Sequence, residues 1–306
     1  MKSPAALVAV LVVVTAPGLA AAQHPPASEA GPVRIRRGPA PPAVSGSGAD
    51  VAMALQADAP IIEATLNGQG PFRLLFDTGA PGGVRLSEVG VQKLGLVQVG
   101  EARTGDPSGK NPQVRPIYRL DTLKVGEVTV SGWDVMAAPP LPSKAGQLDG
   151  VVGLDGFHGY VVTLNYATGR FTLAPGALPA ADGQGVFAYD EPIPRIPLEI
   201  EGQALEAHLD TGNSRYGVIV SDQTAASLAG HAAAKPIGKA RTASQVIEMF
   251  AAETTQPVKV GALALPVTSI GWPAIIPLAN VGSPALKGLV VGVDPRNRRV
   301  RIARAT

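Results

Sequence analysis

Beyond Val51 the chain runs in short apolar or alternating stretches, each cut off by Gly, Pro or Asn. Ile61 to Leu66, Phe72 to Phe76, Leu123 to Val130, Val161 to Leu164 and Phe171 to Leu173 are the clearest. Runs this short and this rich in Val and Ile predict strands rather than helices. The expected class is all-β. Asn67-Gly68-Gln69 and Glu201-Gly202-Gln203 read as tight turns between strands. Ser87 and Ser221 are suited to cap short helices ending near Leu94 and Leu228.

These features come in pairs, in the same order. Leu75-Phe76-Asp77-Thr78-Gly79 returns as His208-Leu209-Asp210-Thr211-Gly212, 133 residues later, and Val84-Arg85-Leu86-Ser87 returns as Val218-Ile219-Val220-Ser221 after 134. Lys124-Val125-Gly126 is echoed by Lys259-Val260-Gly261, and Gly153 through Leu173 aligns without a gap on Gly282 through Ile302. Ordered matches at nearly constant offset predict two copies of one β-rich unit of about 120 residues. The break between them falls near Pro179 to Gln184.

The first residues change the picture of where the protein works. Lys2, an apolar run from Ala5 to Ala16 and a small-residue ending at Ala20-Ala21-Ala22 predict a secretory signal peptide over 1–22. The run is shorter than the ~20 residues of a spanning helix. Residues 23–50, rich in Pro, Ala, Gly and Ser, predict a flexible linker. An N-terminal lobe over 51–180 and a C-terminal lobe over 181–306 follow. The expected location is periplasmic or extracellular, with no membrane attachment after cleavage. With no Cys in 306 residues, disulfides, thiol catalysis and thiolate metal sites are excluded. A net charge of +2, without basic clusters interleaved with aromatics, excludes a nucleic-acid surface. The four His residues are too scattered to predict a metal site.

The candidate chemistry lies in the doubled Asp-Thr-Gly. Each copy follows an apolar strand, placing a carboxylate at the strand's end, a hydroxyl to brace the turn and a Gly that allows close backbone approach. Alone, such a tripeptide is a turn. In equivalent places of a duplicated unit, pseudo-twofold packing brings Asp77 and Asp210 face to face. Two unit charges about 4 Å apart repel by about 4 kcal/mol at an effective dielectric near 20, so the pair shares one proton. One acid and one base can then hold a water, deprotonate it against a peptide carbonyl and protonate the departing nitrogen.

The chain resembles the aspartic peptidases of the retropepsin and pepsin type, especially bacterial secreted forms with two repeats per chain. The resemblance rests on Leu74-Leu75-Phe76-Asp77-Thr78-Gly79-Ala80 with Asp149-Gly150-Val151-Val152-Gly153, and on Asp210-Thr211-Gly212-Asn213-Ser214 with Leu278-Ala279-Asn280-Val281-Gly282. It implies two pseudo-symmetric acid-protease-like β lobes with a cleft between them. Asp77 and Asp210 are catalytic, with Thr78, Gly79, Thr211 and Gly212 supporting the turns. Peptide or protein is the substrate and no cofactor is needed. Asn280 stands where an apolar residue is expected, so the second ψ-shaped loop is altered. Hairpin flaps are expected around Arg103 to Gly109, with Thr104 and Gly105 near substrate, and around Arg241 to Ser244. Leu75 and His208, two residues before each aspartate, share its strand face and are candidate subsite residues. Ala80 and Asn213 replace the usual hydroxyl after Gly, which predicts a working range less acidic than pepsin's. Both half-sites lie in one chain, so a monomer suffices. Two alternatives stay open: a peptidase-fold protein that binds peptides without cleaving them, and a two-domain envelope protein whose Asp-Thr-Gly segments are only turns.

Overall fold

The computed structural model describes residues 42–104, 113–138, 148–241, 246–273 and 279–305. The protein is all-β: three sheets, with two short α-helices and two 3-10 turns among the described residues. Burial follows the alternation read from the sequence. Tyr160–Asn165 and Arg195–Ile200 bury every second side chain.

The first sheet is built around Gln69–Phe76. On one side it pairs antiparallel with Ala59–Leu66, and on the other in parallel with Gly150–Val152. Gly150–Val152 is antiparallel to Val84–Ser87, which runs parallel to Val128–Ala138. The second large sheet repeats this order around Gln203–Asp210. Arg195–Ile200 is its antiparallel neighbour and Ala279–Gly282 its parallel one, followed by Val218–Ile219 and Ser269–Pro273. Both hairpins close through the expected two-residue turns. Asn67 and Gly68 have φ of +46° and +75°, Glu201 and Gly202 +50° and +78°, the left-handed pair that matches strand twist. The expected caps also form, Ser87 accepting from the Gly90 N–H and Ser221 from the Thr224 N–H.

The third sheet joins the two halves. Its order is Val186–Ala188, Arg299–Arg304, Leu289–Asp294, Tyr160–Asn165, Arg170–Pro175, Ala49–Ala52. At its centre Thr163 lies opposite Gly292. These two residues are equivalent in the alignment of the closing segments, so a twofold axis through this pair exchanges one half of the sheet with the other. Phe76, Phe157 and Phe171 are fully buried at the base of the first large sheet, with the Phe76 and Phe171 rings 4.9 Å apart. The strand that ends at Asp77 is thus held at its root by aromatic packing.

Two expectations need correction. The linker expected to run through Asp50 ends earlier: Ala43–Ser45 pairs with Val128–Ala138, and Ala49–Ala52 with Arg170–Pro175. Val44, Ala49 and Val51 pack against the core, and existing sheet edges supply hydrogen-bond partners that composition alone does not reveal. Leu123 to Val130 is also not one strand. The chain turns at Gly126, φ +55°, between Gln113–Val125 and Val128–Ala138. The apolar residues on both sides of the turn face the same core, so the turn does not interrupt the apolar run. The segment expected to be a signal peptide lies outside the described residues.

Candidate active site

Each Asp-Thr-Gly leaves its strand at the same point. The Asp77 N–H donates to the Val152 carbonyl, 2.9 Å, tying the first turn to its ψ-loop strand. Asp210 stands opposite Gly282 in the equivalent pairing. Between the turns the two threonines make four hydrogen bonds, two of them to each other. The Thr78 N–H donates to Thr211 Oγ1 at 3.0 Å and the Thr211 N–H to Thr78 Oγ1 at 3.1 Å. Thr78 Oγ1 then donates to the Leu209 carbonyl at 2.6 Å, and Thr211 Oγ1 to the Phe76 carbonyl at 2.7 Å. Both threonines are buried. Each hydroxyl therefore braces the opposite half, and the lobes are locked where the aspartates emerge.

That lock predicts a large stability effect. Thr78→Val keeps the shape but strands the Thr211 N–H and the Leu209 carbonyl in a buried site. At about 1–3 kcal/mol for each unsatisfied group, we expect a loss of roughly 2–4 kcal/mol, read as a lower urea midpoint with unchanged m-value. A midpoint within a few tenths of a molar of the parent would mean that solvent reaches these groups.

The glycines explain how the carboxyl groups meet. A Cβ placed on Gly79 would fall 2.8 Å from Asp210 Oδ1 and 3.2 Å from Asp77 Oδ1. The two oxygens are therefore no more than about 6 Å apart, the sum of those distances. A Cβ on Gly212 would meet the Asp77 carboxyl group, with Oδ1 at 2.7 Å. What each glycine allows to approach is the carboxyl group of the opposite turn. The two carboxyl groups thus lie close enough for the charge of Asp210 to act directly on Asp77.

Their surroundings differ. Asp77 Oδ1 accepts from the Gly79 N–H at 2.8 Å. Burial, then the charge of Asp210, push the Asp77 carboxyl up to about 7, against the opposing pull of Arg85 and the Gly79 N–H. Arg85 is itself buried beside Asp77 and Asp155. Burial lowers its guanidinium from the ordinary value, and the two carboxylates oppose that. Asp210 Oδ1 accepts from the Gly212 and Asn213 N–H groups, each at 3.1 Å, and Oδ2 accepts from Asn280 Nδ2 at 2.7 Å.

The other predicted site residues are dispersed. Leu75 is half-buried and packs against Ala59, Ile61 and Leu148. His208 is buried, and its Nε2 accepts from Arg195 Nε at 3.3 Å. Burial and then Arg195 lower its pKa, which keeps the ring neutral and occupied. Thr104 ends the strand Val97–Thr104, paired with Gln113–Val125; Gly105 and the hairpin tip lie outside the described residues. The second candidate flap has the same form, Lys235–Arg241 paired with Val246–Glu253, its tip also outside them. A separate cavity of about 570 Å³, lined by residues including Ile61, Glu63, Arg73 and Lys124, contains neither aspartate.

Sequence reasoning missed Arg85 and treated Asn280 as a defect. A signal for Asn280 was present. A polar residue inside an apolar strand that pairs with the aspartate's own strand must find a buried partner.

The chain thus has two β lobes joined by a shared sheet, with two aspartates facing each other at their junction. Residues 62–155 match the family model described as aspartyl protease. The matched segment contains Asp77 and its ψ-loop strand and stops before Asp210. No match was found among curated proteins.

Proposed function

We propose that the protein is an aspartic-type endopeptidase that hydrolyses peptide bonds with a water activated between Asp77 and Asp210. The observation that carries this reading is the pair of carboxyl groups facing each other over the two glycines, one member of which, Asp77, is raised to about 7. Over a broad range the pair holds a single proton. The ionised member takes a proton from water as its oxygen adds to the carbonyl carbon, while the protonated member gives its proton to the carbonyl oxygen. When the tetrahedral intermediate collapses, the proton taken from water passes to the departing nitrogen and the carbonyl re-forms, returning the other proton to the pair. The matched strand orders support an internal duplication, with lobes over 51–180 and 181–306. Both half-sites in one chain support a monomer acting on peptide or protein. The leader-like residues 1–22 support export to the periplasm or beyond.

The test is cleavage of a mixed peptide library by the purified protein between pH 3 and 8, with and without a statine-type transition-state mimic. Asp77 carries its proton below about 7 and loses it as pH rises through that value. Activity should therefore hold through the mildly acidic range, fall away on the alkaline side near 7, and be blocked by the mimic. A rate still rising as pH falls to about 3 would contradict the assignment. Peptide binding without turnover across the range would favour a non-catalytic peptide-binding protein instead.

A further inference from the structure

The two halves of the pair are not equivalent, and the difference comes from two residues that break the internal symmetry. Ala80 follows Gly79 where Asn213 follows Gly212, and Val151 occupies the ψ-loop position that Asn280 fills in the other half. Neither Ala80 nor Val151 has a side chain able to donate a hydrogen bond. Asn213 and Asn280 are both buried and form a chain of amides. Asn213 Oδ1 accepts from the main-chain N–H groups of Tyr216, 3.1 Å, and Arg215, 3.3 Å. This fixes its Nδ2 toward Asn280 Oδ1, 2.8 Å, and so turns Asn280 Nδ2 toward Asp210 Oδ2, 2.7 Å. Reversing either amide would set oxygen against oxygen in a buried site. The orientation is thus anchored in main-chain donors that cannot rotate.

We propose that Asn280, oriented by Asn213, is a positioning residue that makes Asp210 the ionised member of the pair and leaves the shared proton on Asp77. The proposal rests on the peptidase reading for its catalytic meaning, though the asymmetry itself does not depend on turnover. Every donor reaching Asp210 from its own half favours a carboxylate: two N–H groups on Oδ1 and one amide on Oδ2. Among the described residues of its own half, Asp77 receives only the Gly79 N–H. The charged and titratable neighbours are Arg85, with Asp155 beyond it, on the Asp77 side, and His208 with Arg195 and Glu191 on the Asp210 side. Tyr166, bonded to Ser283, senses both aspartates from the turn after Tyr160–Asn165. Arg85 opposes the assignment by favouring a charge on Asp77, and the loss of solvent around Asp77 outweighs it. Asn280 then does the work that a hydroxyl after Gly would do, but for one aspartate only.

The test uses the full chain labelled with carboxyl-¹³C aspartate, followed by NMR from pH 2 to 9, alongside the pH dependence of kcat/KM. In the parent, the resonance that changes at the alkaline step should belong to Asp77, assigned by its loss in Asp77→Asn. In Asn280→Val, which installs the first half's residue, the acid-side step of the pair should move up by about 1 to 2 pH units, since a lost bond to a charged group is worth that much. The alkaline step should stay within a few tenths of a unit, because Asp210 is charged on both sides of it. Asn213→Ala keeps the main-chain donor but frees the Asn280 amide, and should move the acid step in the same direction by less. If Asn280→Val does not fold, Asn213→Ala decides the matter alone. An acid step that stays in place, both steps moving together, or an alkaline resonance from Asp210 would overturn the proposal. Because the NMR titration needs no substrate, a parent that fails to cleave peptides would count against the peptidase reading and leave this measurement intact.

Discussion

Asp77→Asn and Asp210→Asn should each lower kcat/KM for peptide cleavage by roughly a hundred- to ten-thousandfold, and the double variant should lose little more. The pair works as one unit that holds one proton and one charge. Removing either carboxyl group breaks the acid–base pair that the step needs, so the losses do not add. Steady-state cleavage of one well-cut peptide measures all three variants. Full activity in either single variant would remove that aspartate from the mechanism. The same Asp77→Asn should be more stable than the parent at neutral pH. In the folded protein Asp77 is raised from 3.8 to about 7, so the native state holds a proton that the unfolded chain has released. The stability this confers is complete below about 3.8, declines as pH rises toward 7, and is lost above it. Asparagine resembles the neutral acid at every pH. The variant's advantage should therefore be near zero below pH 4 and reach on the order of 2–4 kcal/mol above 7, several degrees in melting temperature. A flat difference across pH would mean that Asp77 is not held protonated by the fold.

Gly212→Ala should cost about a hundredfold or more in kcat/KM while the protein still folds. The added methyl group would press on the Asp77 carboxyl group, 2.7 Å from Oδ1, a separation no real Cβ tolerates. Asp77 must swing away, giving up the Gly79 N–H and its place opposite Asp210. Displacement of a reacting group by about 1 Å is enough for such a loss. Gly68→Ala is the matched control. It sits in the hairpin turn at φ +75° with open space around it, so it should cost about 1 kcal/mol of stability and leave the rate unchanged. Near-parental activity in Gly212→Ala would mean the opposing carboxyl groups are not packed over these turns.

Much of the scaffold was legible along the chain. Alternation gave strands of the first large sheet and of the joining sheet, Asn67-Gly68 and Glu201-Gly202 gave hairpins, and Ser87 and Ser221 gave helix caps, because each is fixed by contacts a few residues apart. The strands at 43–45 and 49–52 were not legible, since Ala, Ser and Asp become strand residues only where an edge elsewhere is waiting for them. Thr78 and Thr211 were read as braces for their own turns, whereas each hydroxyl reaches across to the other half.

The sequence alone determined that two equivalent turns each end a buried strand with a carboxylate, a hydroxyl and a glycine, because local order and spacing are written in the residues. Only the tertiary structure decided how the two turns meet: that each glycine faces the opposing carboxyl group, and that Asn280 bonds to Asp210 while Val151 offers Asp77 nothing. Those relations join residues about seventy to more than a hundred and thirty positions apart. Burial and hydrogen bonding depend on what packs nearby in space, and packing across such distances leaves no local trace in the chain.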